Sequence, residues 1–212
     1  GRGLCQGAGH VSHQDHALPP DNFQETPESV VAHRTSPTNI GLYLLSTVCA
    51  RDFGWIGTLE TVERLEATLA TMSRMESFRG HFYNWYDTRD LHPLEPRYVS
   101  SVDSGNLAGH LLTLGNSCRE LTDRSSIGPH ILPGLRDAVC LLRAALAKTT
   151  AAPRTHVVAR RQLSNAVDAM MDTLDSVPVD SLDWAIRFNE WRAHARTVAD
   201  IAEALAQERQ ED

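Results

Sequence analysis

Residues 40–53 can fold only as a helix that other elements cover on nearly every side. Ile40, Leu42, Tyr43, Leu44, Leu45, Val48, Cys49 and Ala50 fall all round a 3.6-residue period, and a helix without a polar face needs neighbours. Its ends are punctuated. Ser36 suits the N-cap and Pro37 the first helical position, where the missing N–H costs nothing. Gly54 suits the residue just past the C-terminus. The next run, from Thr58 to about Phe78, has a different character: Leu59, Val62, Leu65, Leu69 and Met72 recur at three- and four-residue steps between Glu60, Glu63, Arg64 and Glu66. That spacing predicts a one-sided helix with its apolar stripe turned inward.

The pattern then repeats. Residues 101–106 (SVDSGN) are polar and cap-like, and they lead into a second apolar run from Leu107 to about Leu121, carried by Leu107, Leu111, Leu112, Leu114 and Cys118. Residues 129–148 follow as an amphipathic helix through Ile131, Leu135, Val139, Leu142 and Leu146. A covered helix, an exposed helix, a loop, and the same again is the period of helix hairpins, so an all-α fold is expected. Residues 155–176 predict another amphipathic helix. A final helix, capped by Asp180 and Ser181, carries Trp184, Phe188 and Trp191 near one face, which suits packing or a partner contact.

Between the hairpins lies Phe82-Tyr83-Asn84-Trp85-Tyr86-Asp87, four aromatics in six residues of a chain that is 6% aromatic. Aromatic faces beside amide and carboxylate groups are suited to a sugar, whose C–H face stacks while its hydroxyls take the polar groups. The alternative is core filler between two helices; because four large aromatics in five positions cannot all point inward, the stretch is expected as a loop over the rim made by the polar helix starts. The candidate binding groups at that rim are Arg34, Thr38, Asn39, Tyr83, Asn84, Trp85, Tyr86, Asp87, Asp103, Ser104 and Asn106. Asp103, Asn39 and Asn106 also suit helix caps. Asp87 has no such role and is the carboxylate best placed to touch a ligand.

Other chemistries find little support. A net charge of −7 and a pI near 5.8 disfavour a nucleic-acid or anionic-membrane surface. No run of about 18 apolar residues suggests a membrane span. Cys5, Cys49, Cys118 and Cys140 form no C-x-x-C pair, and the last three sit in apolar helical runs, which predicts buried free thiols. Residues 1–17 are Gly- and His-rich without an apolar period and are expected to be disordered or foreign to the domain. His10, His13 and His16 stand three apart, but without helix support no metal site is expected, and no cofactor motif is present. Residues 18–34 read as a Pro-rich extended strap. A glycosidase needs two carboxyl groups, one with a raised pKa; Asp87 and Asp103 form the available pair, and a cap aspartate makes a poor general acid.

Four runs carry a family likeness: LPPDNFQE (18–25), HRTSPTNIGLYLLSTVCARDFGW (33–55), GHFYNWYDT (80–88) and LEPRYVSSVDSGNLAGHLL (94–112). They resemble bacterial cyclic β-1,2-glucan synthases, in the glycoamylase-like region between that family's glycosyltransferase and phosphorylase-like domains. The likeness is strong over about residues 18–121 and loose beyond. It implies an (α/α) toroid of six helix hairpins, of which this chain would supply only the first, in residues 18–150, with 151–212 as additional packing or interface helices. It also implies a transglycosylase that cyclises linear β-1,2-glucan, within a parent that builds the glucan from UDP-glucose on the cytoplasmic side of the inner membrane. The implied partners are the glucan and the parent's remaining domains. No segment matches the family's catalytic glutamates, so the expected role is glucan binding at the rim. The alternatives are a helical scaffold without ligand and a small stand-alone hydrolase.

Overall fold

The computed structural model describes residues 13–123, 127–148 and 157–211. The architecture is all-α, with two-residue strand pairs in the connections. It divides into two compact units: Gly1–Asp52 with Ile56–Ser126, and Phe53–Trp55 with Ile127–Asp212.

In the first unit the strap forms a small antiparallel pair, β1 (Phe23–Gln24) with β2 (Val30–Val31). Next come β3 (Arg34–Thr35) and α1 (Pro37–Asp52). Ser36 Oγ accepts the Asn39 N–H at 3.2 Å, so the N-cap lies where the sequence predicts it. Gly54, with φ +73°, takes the left-handed conformation that a helix exit asks of glycine. Helix α2 (Thr58–Met72) and helix α3 (Ser101–Asp123) both pack on α1. Their shared core holds Leu18, Ile40, Leu44, Leu65, Met72, Tyr86, Leu107 and Leu114. Burying each large side chain contributes about 1.5–3 kcal/mol before entropy is charged. At Gly41 the approach of α1 to α3 is so close that a Cβ would stand 2.3 Å from His110 Nδ1.

Helix α2 is turned from its expected orientation. Its buried residues are Thr61, Leu65, Thr68, Thr71 and Met72, while Leu59, Val62 and Leu69 are exposed. The cause is the segment it covers. Residues 13–18 are ordered rather than disordered: they form a turn docked on the unit, with His16 and Ala17 both at positive φ and Leu18 fully buried. Thr68 Oγ1 donates to the Ala17 carbonyl at 2.8 Å and Thr71 Oγ1 to the His16 carbonyl at 2.7 Å. Buried carbonyls outside a helix need donors, and the threonine face supplies them. Residues 1–12, with Cys5 and His10, lie outside the described residues.

Two further expectations change. Helix α3 starts six residues earlier than predicted and buries only Leu107 and Leu114, leaving Val102, Leu111 and Leu112 exposed. Cys49, Cys118 and Cys140 are free and exposed rather than buried, because they lie on flanks that no described element covers. Helix α2 also stops earlier than predicted. The chain turns into a hairpin, β4 (Ser77–Phe78) with β5 (His81–Phe82), through Arg79-Gly80. Both turn residues have positive φ, as a type I′ turn requires.

In the second unit, α4 (Ile131–Lys148), α5 (Val157–Thr173) and α6 (Ser181–Glu211) pack in sequence order. Leu132, Val139, Leu163, Val167, Leu174, Trp191 and Val198 make the core. Thus α4 belongs with the helices after it, not with the first hairpins as the sequence grouping of 18–150 has it. Asp180 Oδ1 accepts the Asp183 N–H at 2.8 Å as the expected cap. Trp184, Phe188 and Trp191 form one aromatic cluster, and Trp191 Nε1 donates to the Thr173 carbonyl. Phe53-Gly54-Trp55 joins this unit, and Trp55 Nε1 donates to Asp137 at 3.0 Å. A Cβ at residue 134 would collide with the Gly54 carbonyl at 2.0 Å, so only glycine fits there.

Candidate functional site

The aromatic stretch is part loop and part strand: residues 83–85 bend between the end of β5 and a second short strand. Its second half, β6 (Tyr86–Asp87), pairs antiparallel with β3, Arg34 opposite Asp87 and Thr35 opposite Tyr86. The far edge is held by residues 92–94: the Asp87 N–H donates to the His92 carbonyl and the Leu94 N–H to the Trp85 carbonyl. A strand sends alternate side chains to opposite faces. Burial alternates along 84–89: Asn84, Tyr86 and Thr88 are buried, Trp85 and Asp87 half-buried and Arg89 exposed, while half-buried Tyr83 packs against the core.

That alternation divides the predicted site residues. Tyr86 is fully buried, and its hydroxyl donates to the Glu76 carbonyl at 2.6 Å while accepting the Tyr83 N–H at 2.8 Å. Burial pushes its pKa up to about 12. It is a core residue that fixes the stretch and leaves no surface for a ligand. Asn84 is likewise 4% exposed, with its side-chain oxygen unpartnered. Tyr83 lines a cleft to which neither Trp85 nor Asp87 contributes.

The remaining groups do assemble. The Arg34 guanidinium lies 4.9 Å from the centre of the Trp85 ring, within cation–π range. It donates through Nε (3.1 Å) and Nη2 (2.9 Å) to Asp21 Oδ2. Asp21 Oδ1 accepts from Asn39 Nδ2 at 3.2 Å. In the same first turn of α1, Thr38 Oγ1 donates to Asp103 Oδ1 at 2.6 Å and accepts from Asn106 Nδ2 at 3.2 Å. So Trp85, Arg34, Asp21, Asn39, Thr38, Asp103 and Asn106 form one line across the N-terminal ends of α1 and α3. Ser100, not Asp103, caps α3, its Oγ accepting the Asp103 N–H; the Asp103 side chain is thereby released to reach α1. Ser104 Oγ is buried without a partner nearby. Asn39 and Asn106 serve this line rather than caps.

Asp87 stands apart, on the outward face of β6. Arg89 grips it through Nε (3.0 Å) and Nη2 (2.6 Å). That charged hydrogen bond holds the Asp87 carboxyl below the usual carboxylate range. A lowered pKa is the reverse of what a general acid needs, which removes the motive for pairing Asp87 with Asp103 as a hydrolase.

Sequence reasoning missed Asp21, the hub of the line, because it sits in a segment read as a strap. It also missed Asp15, which is buried and accepts from Thr88 Oγ1 (2.7 Å) beside His33 Nδ1 (2.7 Å). The only signal for Asp21 was its place inside the family run 18–25. Among the described residues no group of three or more His, Cys, Asp or Glu could hold a metal, and His16 Nδ1 lies on the Thr88 carbonyl. No described helix is long and apolar enough to cross a membrane.

The class of protein follows from comparison: over most of its length this helical chain is similar to a cyclic β-1,2-glucan synthase. The relative is the cyclic beta-(1,2)-glucan synthase NdvB of Rhizobium meliloti (strain 1021), 50% identical over 170 residues, or 79% of the present chain. The chain spans only 6% of that relative's length. No family model matches the chain.

Proposed function

We propose that the first unit supplies part of the glucan-binding rim of a cyclic β-1,2-glucan-forming transglycosylase, as one piece of a six-hairpin toroid. The observation that carries this is the line from Trp85 to Asn106. An indole carrying a half-exposed guanidinium continues into alternating donors and acceptors at two helix starts, the surface that a chain of neutral rings and hydroxyls fits. The 50% identity to a synthase named for cyclic β-1,2-glucan supports the choice of sugar. The bond-making carboxylates lie elsewhere in the parent enzyme, and this chain alone does not turn over.

Linear β-1,2-glucan titrated into the chain should change the Trp85 emission, read as the difference between wild type and Trp85→Ala. No response, or one that persists in Trp85→Ala, would sink the proposal. A scaffold role without ligand has one observation in its favour: Asp21, Asp87 and Asp103 already have partners within the chain. It predicts that Asp87→Ala placed in a full-length relative leaves cyclisation intact.

A further inference from the structure

The β4–β5 hairpin and the segment just before α3 enclose a cleft of about 350 Å3, lined by Phe78, Tyr83, Arg97, Tyr98 and Val99. That volume lies at the low end of the roughly 300–1,000 Å3 found for small-molecule sites. Its apolar content is concentrated and solvent-facing: Phe78 is 51% exposed and Tyr98 52%. Solvated aromatic rings gathered in a concavity, rather than scattered singly, call for an occupant.

The walls are held from behind by buried groups. The Tyr98 carbonyl accepts the N–H of buried Asn84 at 2.9 Å. The Tyr83 N–H rests on the Tyr86 hydroxyl, which also bonds the Glu76 carbonyl. A ligand therefore meets a prearranged surface and little ordering cost is charged against binding.

Charge narrows the class of occupant. Arg97 donates to Glu95 through Nε at 3.0 Å and to Glu76 through Nη1 at 3.4 Å. Arg79 adds a second cation, its guanidinium 5.3 Å from the centre of the Phe78 ring, so two cations meet two carboxylates and the balanced rim favours a neutral occupant. Those carboxylates retain lone pairs that accept from hydroxyls, and the two phenols both donate and accept. Rings for a C–H face, ringed by hydroxyl-directed acceptors, fit a neutral sugar unit; an apolar peptide side chain would leave the polar groups unused.

We propose that this cleft is a second sugar-contact site of the chain, taking one or two neutral hexose units at a place separate from the Arg34–Trp85 line. That the sugar is β-1,2-glucan rests on the function proposed above; the site itself does not.

The test is calorimetric titration of the full chain with linear β-1,2-glucan and with neutral oligosaccharides of other linkages. Wild type, Tyr98→Ala, Tyr98→Phe, Arg97→Gln and Trp85→Ala are compared, each checked for an unchanged melting temperature. Tyr98→Ala should weaken binding about three- to tenfold, the worth of one aromatic stack, while Tyr98→Phe stays near wild type. Weakening by Tyr98→Ala for any neutral sugar, whether or not Trp85→Ala has an effect, supports the cleft. A loss confined to Trp85→Ala overturns the cleft and leaves the rim proposal standing. Binding of no neutral sugar, or capture of an aromatic peptide that Tyr98→Ala abolishes, overturns the cleft as a sugar site. Arg97→Gln serves should Tyr98→Ala melt early; undiminished binding there as well overturns it.

Discussion

Replacing Tyr86 by Phe removes one oxygen atom and two hydrogen bonds, and keeps the ring that fills the core. The hydroxyl donates to the Glu76 carbonyl at 2.6 Å and accepts the Tyr83 N–H at 2.8 Å, tying both ends of the β4–β5 hairpin to β6. Each net bond contributes about 0.5–1.5 kcal/mol, so the loss should be about 1–3 kcal/mol. With a urea slope of about 2 kcal/mol per molar, the midpoint should fall by about 0.5–1.5 M at unchanged slope. The two units need not unfold together, so the probe must belong to the first. Fluorine NMR of 5-fluorotryptophan at Trp85 meets that need, because Trp55, Trp184 and Trp191 lie in the second unit. Alkaline pH gives a second readout. Burial holds the Tyr86 phenol at about 12, against 10.0 in the unfolded chain. Below pH 10 it is neutral in both states, and between 10 and 12 only the unfolded state releases the proton. Its contribution is therefore complete below pH 10 and falls by about 2–3 kcal/mol as pH rises through 12. Tyr86→Phe should lack that slope. A midpoint unchanged by the substitution, and an alkaline slope that persists in it, would refute the assignment of Tyr86 as a structural tie.

Gly41→Ala should destabilise the first unit by about 1–3 kcal/mol through the His110 collision, and His110→Ala should recover part of it in a double-mutant cycle followed by thermal melting. Thr68→Val with Thr71→Val should free residues 13–18, seen as faster amide exchange at Leu18 with the helices unchanged. For Asp87 the sign is opposite to that of Tyr86. Its folded pKa is depressed by Arg89, so its contribution is present above the ordinary carboxylate pKa and is lost as pH falls through the depressed value. Carboxyl 13C titration should show the low midpoint, and Arg89→Gln should raise it.

The two ends of α1 and the start of α6 were legible because their signals are local. Ser36, Pro37, Gly54 and Asp180 act on groups within a few residues. What the sequence hid depends on distant partners. The outward turn of Leu59, Val62 and Leu69 follows from a threonine face serving carbonyls more than 50 residues away, which no helical period can reveal. The aromatic stretch did carry its own signal. Asn84, Tyr86 and Thr88 against Trp85, Asp87 and Arg89 is a period of two, and aromatic content raises strand propensity. Counting the aromatics without testing that period hid the short strand at Tyr86–Asp87 and the core place of Tyr86. Of the candidate site, the helix-start residues were found from their polarity, whereas Asp21 was hidden in the strap.

The acidic residues also say what kind of work the first unit suits. A residue that breaks a glycosidic bond by proton transfer must keep a proton near neutral pH, which calls for burial or a neighbouring carboxylate and no cation. Asp87 has a guanidinium on both oxygens. Asp21 is shared between Arg34 and Asn39, and Asp103 accepts the Thr38 hydroxyl. Each is an acceptor with a fixed direction. Such groups orient hydroxyls, discriminate among linkages and cost little to reorganise when a ligand exchanges with water. Such partnering suits groups that orient a ligand better than groups that transfer a proton. Even Arg89→Gln, which should raise the Asp87 pKa, should release no new reducing ends from linear β-1,2-glucan.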